Sequence, residues 1–257
     1  MDLQLSGKVA IVTGASRGIG RAIAELLAAE GMRLALAARS RDQLDALAAS
    51  LDTDCLVHAV DLRQPDAPAS VVATAVDRFG RLDLLVNNAG ATKRGDFLHL
   101  SDVDWSDGFA LKFFGAMRCC RAAWPHLQAS QGAIVNIVGV GGRTGSADFA
   151  VGGSVNAALL NLTKALADRG VQDGVRVNAI NPGSIATERL HIRLRKLASE
   201  QRIDQADAAR HLAQTLGVAR FGAPDEIARA VAFLASPLAA YCQGAILDVD
   251  GGQTRTL

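Results

Sequence analysis

Thr13-Gly14-Ala15-Ser16-Arg17-Gly18-Ile19-Gly20 decides how the rest of this chain reads. The octet follows a short apolar run, 8–13, and opens an Ala/Leu-rich helical stretch, 18–30. The three glycines let a backbone turn approach a pyrophosphate. The helix that follows points the positive end of its dipole at the same place. Strand before and helix after separate such a motif from an ordinary tight turn.

The same alternation runs along the chain. Further apolar runs at 33–38, 55–60, 82–86, 133–138, 175–180 and 245–249 are hydrophobic on successive residues, as strands buried on both faces must be. Helical patterns lie between them at 41–51, 67–79, 102–124, 153–169 and 224–234. Connections of this length impose parallel pairing and right-handed crossovers. The expectation is one α/β domain spanning 1–257, a Rossmann-like doubly wound parallel sheet of about seven strands with helices on both faces. One stretch, 184–217, breaks the rhythm between the sixth strand and the last helix. It is rich in Arg, Lys, Glu and Gln, carries Leu190, Leu194 and Leu197 at helical spacing, and sits where a lid over a cleft belongs.

Composition sets bounds on partners. Apolar residues are 49% and aromatics only 4%, so Ala, Val, Leu and Ile must build the core. A net charge of +1 gives no bulk attraction to nucleic acid or anionic lipid. No apolar run approaches the ~20 residues of a membrane helix, and residues 1–5 do not read as a signal peptide. Cys55, Cys119, Cys120 and Cys242 have no C-x-x-C spacing and read as reduced thiols of a cytoplasmic protein. No paired-ligand spacing points to a metal.

With Asn87-Asn88-Ala89-Gly90 after the fourth apolar run, the glycine turn resembles that of the short-chain dehydrogenase/reductase family. The resemblance covers nearly the whole chain. It includes Asp61-Leu62, Ile134-Val135-Asn136-Ile137, Asn181-Pro182-Gly183-Ser184-Ile185-Ala186-Thr187-Glu188, the stretch Arg220-Phe221-Gly222-Ala223-Pro224-Asp225-Glu226-Ile227-Ala228 and Asp248-Val249-Asp250-Gly251-Gly252. It implies roles by position. Gly14, Ser16, Arg17, Gly18, Ile19 and Gly20 hold the pyrophosphate side of a nicotinamide dinucleotide. Asp61 accepts from the adenine amine, with Leu62 beside the ring. Asn88, Ala89 and Gly90 line the ribose and the nicotinamide floor. Pro182, Gly183, Ile185 and Thr187 hold the carboxamide side. Taken alone, Asp61 also fits a strand-end turn and Thr187 a helix cap.

The choice of nucleotide follows from charge. An NAD site carries an acidic residue at the end of the second strand. Here that place reads Ala37-Ala38-Arg39-Ser40, and Arg39 and Arg17 can both reach a 2′-phosphate. NADP(H) is expected over NAD(H), although Arg39 also fits a solvated loop.

The family moves a hydride between nicotinamide and a carbonyl/alcohol pair while a Tyr, tuned by a Lys and assisted by a Ser and an Asn, handles the proton. The resemblance places these positions at Gly152 (Tyr), Asn156 (Lys), Gly139 (Ser) and Lys112 (Asn). Lys112 can restore a cation close to the nicotinamide ribose and, if buried there, act as an acid or base. Its alternative is a lysine whose stem packs on its helix while the amine reaches solvent. Thr144, Ser146, Asp148 and Ser154 can bind substrate or cap the helix expected from Gly153, and His191 can shuttle protons or sit idle on the surface. Arg189, Arg193, Arg195, Lys196 and Arg202 suit an acidic substrate such as a carboxylate or an acyl thioester, but Glu188, Glu200, Asp204 and Asp207 are interleaved as on a solvated face.

Three functions remain open: an NADP(H)-dependent oxidoreductase acting on a small molecule with non-standard proton handling, a redox-silent NADP(H)-binding or regulatory protein, and a non-redox enzyme. The resemblance further implies a homo-oligomer, a dimer or tetramer, through the helices at 102–124 and 153–169, where Gly153, Ala157 and Ala158 permit close approach.

Overall fold

A computed structural model describes residues 2–255. Seven parallel strands form one sheet: β1 (Val9–Thr13), β2 (Arg33–Ala38), β3 (Cys55–Ala59), β4 (Leu84–Asn87), β5 (Ala133–Ile137), β6 (Arg176–Pro182) and β7 (Ile246–Val249). Their order is β3-β2-β1-β4-β5-β6-β7. Every residue of β1, β4 and β5 is buried, whereas β3 at one edge is half-buried throughout. That gradient is what continuous apolar runs produce when helices cover both faces.

The helices are α1 (Gly18–Ala29), α2 (Arg41–Ser50), α3 (Ala67–Phe79), α4 (Asp102–Gly108), α5 (Ala116–Ser130), α6 (Ala150–Asp173), α7 (Glu188–Gln201), α8 (Gln205–Leu216) and α9 (Pro224–Ala235). One aliphatic layer lies between the sheet and α1 and α9, with Ile23, Leu27, Ile227 and Val231 among its buried residues. A second, with Val71, Val72, Cys119 and Leu127, backs the other face.

Three sequence expectations shift. The helix expected over 102–124 is not uniform: a π-helical segment, Phe109–Gly115, joins α4 to α5. The helix expected from Gly153 begins three residues earlier, at Ala150, with Phe149 as an N-cap that makes no side-chain capping bond. Ser146 and Asp148 bond to each other instead. The insertion 184–217 folds as α7 and α8, and Leu190, Leu194 and Leu212 form a small core of their own with Leu197 packed against it.

The strand order reverses between β1 and β4, and the crevice above their carboxyl ends is where ligands bind in sheets of this kind. Thr13 and Asn88 tie the two ends together. Asn88 donates its backbone N–H to Thr13 Oγ1 at 2.9 Å and its amide to Thr13 O at 3.0 Å and Gly14 O at 3.2 Å. No helix among the described residues is long and apolar enough to cross a membrane.

Candidate active site

The glycine turn is built for close approach. Gly14 and Gly18 adopt left-handed backbone, φ +67° and +58°, which disfavours a side chain. A Cβ on Gly20 would stand 2.2 Å from Gly14 O, so the turn closes on its own helix only with glycine there. Arg17 caps α1 without a side-chain bond, and no acidic residue occupies the first turn. The first N–H groups of α1 therefore keep their capacity for an anion. Arg17 and Arg39 are both exposed, and neither joins an ion pair among the described residues. The donor set fits a dinucleotide carrying an additional phosphate.

The other expected contacts surround this turn unevenly. Thr187 lies over it, its Cγ2 3.3 Å from a Cβ placed on Gly18. Ile185 is buried, and its only bridge is to Gly222. Asn88, Ala89 and Gly90 line the β4 end, half-buried. Asp61 makes the strand-end turn: it accepts from Arg63 N at 3.0 Å and from the Arg63 guanidinium at 3.2 Å, while Arg63 also grips Asp107. Leu62 is 4% exposed and packs in the second core layer.

Lys112 stands in the π-helical segment, a rare helix form that recurs at functional sites. Its stem runs against Gly90, where a Cβ would meet Lys112 Cδ at 3.0 Å. Its amine donates to Val138 O at 2.5 Å. Burial, and then the nearby Arg189 charge, push the Lys112 ammonium down to about 7. Next to Val138, Gly139 has φ +129° and donates its N–H to Asn181 Oδ1 at 3.2 Å. Asn156 is 3% exposed. Its amide donates to Gly139 O at 3.4 Å, and its Oδ1 has no partner among the described residues.

Gly152 is covered by the ring of Phe149. The guanidinium of Arg94 stacks on that ring at 4.1 Å and pairs with Asp148 at 2.8 Å. Arg94 carried no motif that sequence reasoning could use; a basic pair, Lys93-Arg94, just after the β4 turn was the only signal. Arg189, from α7, donates to Gly90 O at 2.8 Å. His191 is exposed.

Known proteins share this fold. Residues 14–254 match the family model described as enoyl-(acyl carrier protein) reductase. The chain belongs to the short-chain dehydrogenase/reductase family. It is 38% identical over 251 residues to the 3-oxoacyl-(acyl-carrier-protein) reductase FabG of Vibrio cholerae, covering 97% of this chain and 98% of that one. It is 36% identical to the short-chain reductase protein NovJ of Streptomyces niveus, covering 95% and 93%. Among short-chain dehydrogenase/reductase structures, L-sorbose reductase from Gluconobacter frateurii, complexed with NADPH and L-sorbose, superposes with a TM-score of 0.95 at 34% identity over all of both chains. The chain is accordingly an oxidoreductase of this family by descent, with the family's nucleotide-binding fold.

Proposed function

We propose that the protein is an NADP(H)-preferring oxidoreductase that interconverts a carbonyl and an alcohol with Lys112, rather than a tyrosine, as the group that holds the mobile proton. The position of Lys112 carries this reading: an inward amine between Gly90 and Val138, tuned to about 7. A catalytic acid or base works best with a pKa near the working pH. NADP(H), when bound, supplies or accepts the hydride. In the reductive direction Lys112 Nζ gives up one proton to the substrate oxygen and is re-protonated from water.

Other features support the nucleotide half. Arg17 and Arg39 supply guanidinium forks for a 2′-phosphate, and the L-sorbose reductase that this chain resembles is complexed with NADPH. The unpartnered Asn156 Oδ1 is an acceptor suited to a ribose hydroxyl. Stopped-flow absorbance of the NADPH complex against a panel of carbonyl compounds is the test. Oxidation that is lost in Lys112→Met with retained NADPH affinity supports the reading. Absence of hydride transfer to every compound overturns it.

One observation favours a second reading. Phe149 fills the space above Gly152, and neither Gly139 nor Gly152 offers a hydroxyl. A protein that binds NADP(H) as a structural or regulatory ligand needs nothing there. Such a protein gains thermal stability with NADPH but transfers no labelled hydride.

We also infer a homo-oligomer. Val171, near the end of α6, and Tyr241 are 71% and 103% exposed and leave large side chains in water. Light scattering of the purified protein tests it; a mass near one chain, 26.8 kDa, counts against it.

A further inference from the structure

The charges around the cleft mouth do not balance. On α7 and α8, Arg195 pairs with Glu188, Lys196 with Glu200 and Arg210 with Asp207. These are the solvated-face pairs that interleaved charges produce. Arg189 and Arg193 are different: neither has a carboxylate partner within ion-pair distance among the described residues. They stand one helical turn apart, so they share a face of α7. Arg189 fixes the direction of that face, because its guanidinium ends on Gly90 O at 2.8 Å, at the cleft floor.

Arg94 arrives from the opposite wall. The Phe149 ring beneath it and Asp148 beside it hold its guanidinium in place. Gly95 N, bonded to Asp148 O at 3.0 Å, fixes the loop that carries it. Arg193 lies within electrostatic reach of Arg94 and Asp148, and Arg189 within reach of Arg94 and Arg17. Two guanidinium groups, those of Arg94 and Arg193, thus share a single carboxylate, Asp148, and the Arg189 cation lies within reach of Arg94 beside them. Like charges gathered this way repel unless an anion joins them.

We propose that Arg94, Arg189 and Arg193 form a receptor for a carboxylate carried by the substrate, which makes the reacting compound a keto acid or the corresponding hydroxy acid. This deepens the oxidoreductase reading and rests on it for the reaction, but not for the binding. Guanidinium forks take a carboxylate in bidentate geometry. Gly90, which Arg189 touches, also packs on the stem of Lys112, so an acid held here has its neighbouring carbonyl close to the Lys112 side chain.

The test is calorimetric binding of matched pairs: pyruvate and phenylglyoxylate, each against its methyl ester. Each is titrated into the protein with and without saturating NADPH. At least one acid is expected to bind about tenfold or more tightly than its ester. Arg193→Ala, off the nucleotide turn, is expected to erase that preference while its NADPH affinity and melting temperature stay unchanged. Arg193→Lys restores part of it. Equal binding of acid and ester, no binding of either acid, or a preference that survives in Arg193→Ala overturns the receptor. A loss of NADPH affinity in Arg193→Ala shows that this arginine serves the nucleotide and also overturns the receptor. Failure of NADPH itself to bind is a separate readout, and it strikes the oxidoreductase reading alone.

Discussion

The ring of Phe149 lies so close over Gly152 that a Cβ built on Gly152 would stand 2.1 Å from Phe149 Cζ and 2.2 Å from Cε2. Position 152 is therefore more than a missing side chain: an aromatic ring has taken the volume, and the Arg94 guanidinium stacks on the same ring. Gly152→Ala is expected to destabilise by about 1–2 kcal/mol, because overpacking of ~1–3 kcal/mol outweighs the ~1 kcal/mol that alanine gains over glycine in a helix. In a Phe149→Ala background the same change is expected to stabilise. Urea melts of the four proteins check it, and a cost that is the same in both backgrounds rules out the contact.

Lys112 makes stability depend on pH. Its ammonium titrates at about 7 in the fold and at 10.5 in the unfolded chain. Between those values the unfolded chain holds a proton that the folded chain has released, so stability from this group rises with pH across the window. Below about 7 the fold carries a charged amine at full penalty. Lys112→Met keeps the stem and removes the charge. Its melting temperature, compared with the parent, is expected to gain more at about pH 6 than at about pH 9. Thermal melts at the two pH values decide it; an equal difference at both means that the amine is solvated.

Arg39 governs the choice between nucleotides. It is exposed at the end of β2 and makes no ion pair among the described residues. Arg39→Ala is expected to weaken NADPH by about 10–100-fold, the worth of a charge-assisted bond, and to leave NADH within about twofold. Fluorescence titration with each nucleotide measures both; parallel losses would mean that Arg39 does not read the 2′-phosphate.

A buried amide chain supports the crevice from below. Asn87 donates to Asn136 at 2.9 Å, Asn136 to Thr163 at 2.9 Å, and Thr163 to Leu159 O at 2.8 Å. Asn136→Ala leaves buried polar groups unpaired and is expected to cost about 1–3 kcal/mol in a urea melt. NADPH affinity is expected to stay unchanged, since the chain lies in the core and not in the cleft. A drop in affinity larger than the stability loss explains would place Asn136 in the nucleotide site.

The sheet was legible because its signal is local. Runs such as Val9-Ala10-Ile11-Val12 are apolar on successive residues, and nothing but burial on both faces accounts for that. The glycine turn was legible for the same reason: left-handed backbone and contacts within a few residues require glycine at 14, 18 and 20. The π-helical segment was not, because Phe109 to Gly115 keeps an ordinary helical composition and the wider winding leaves no mark in residue type.

By itself, then, the order of residues determined the strands, the nucleotide turn and the absence of a hydroxyl at 139 and 152. What fills the cleft was settled in three dimensions. Lys112 reaches Val138 across 26 residues, and Arg189 reaches Gly90 across 99. No spacing along the chain encodes those distances; they arise when parallel pairing brings the ends of β4 and β5 side by side and α7 folds back over them. A lysine with its amine in water and one with its amine turned inward share the same letter. Only the packing of Gly90 against the stem, and the carbonyl waiting at its end, distinguish the two.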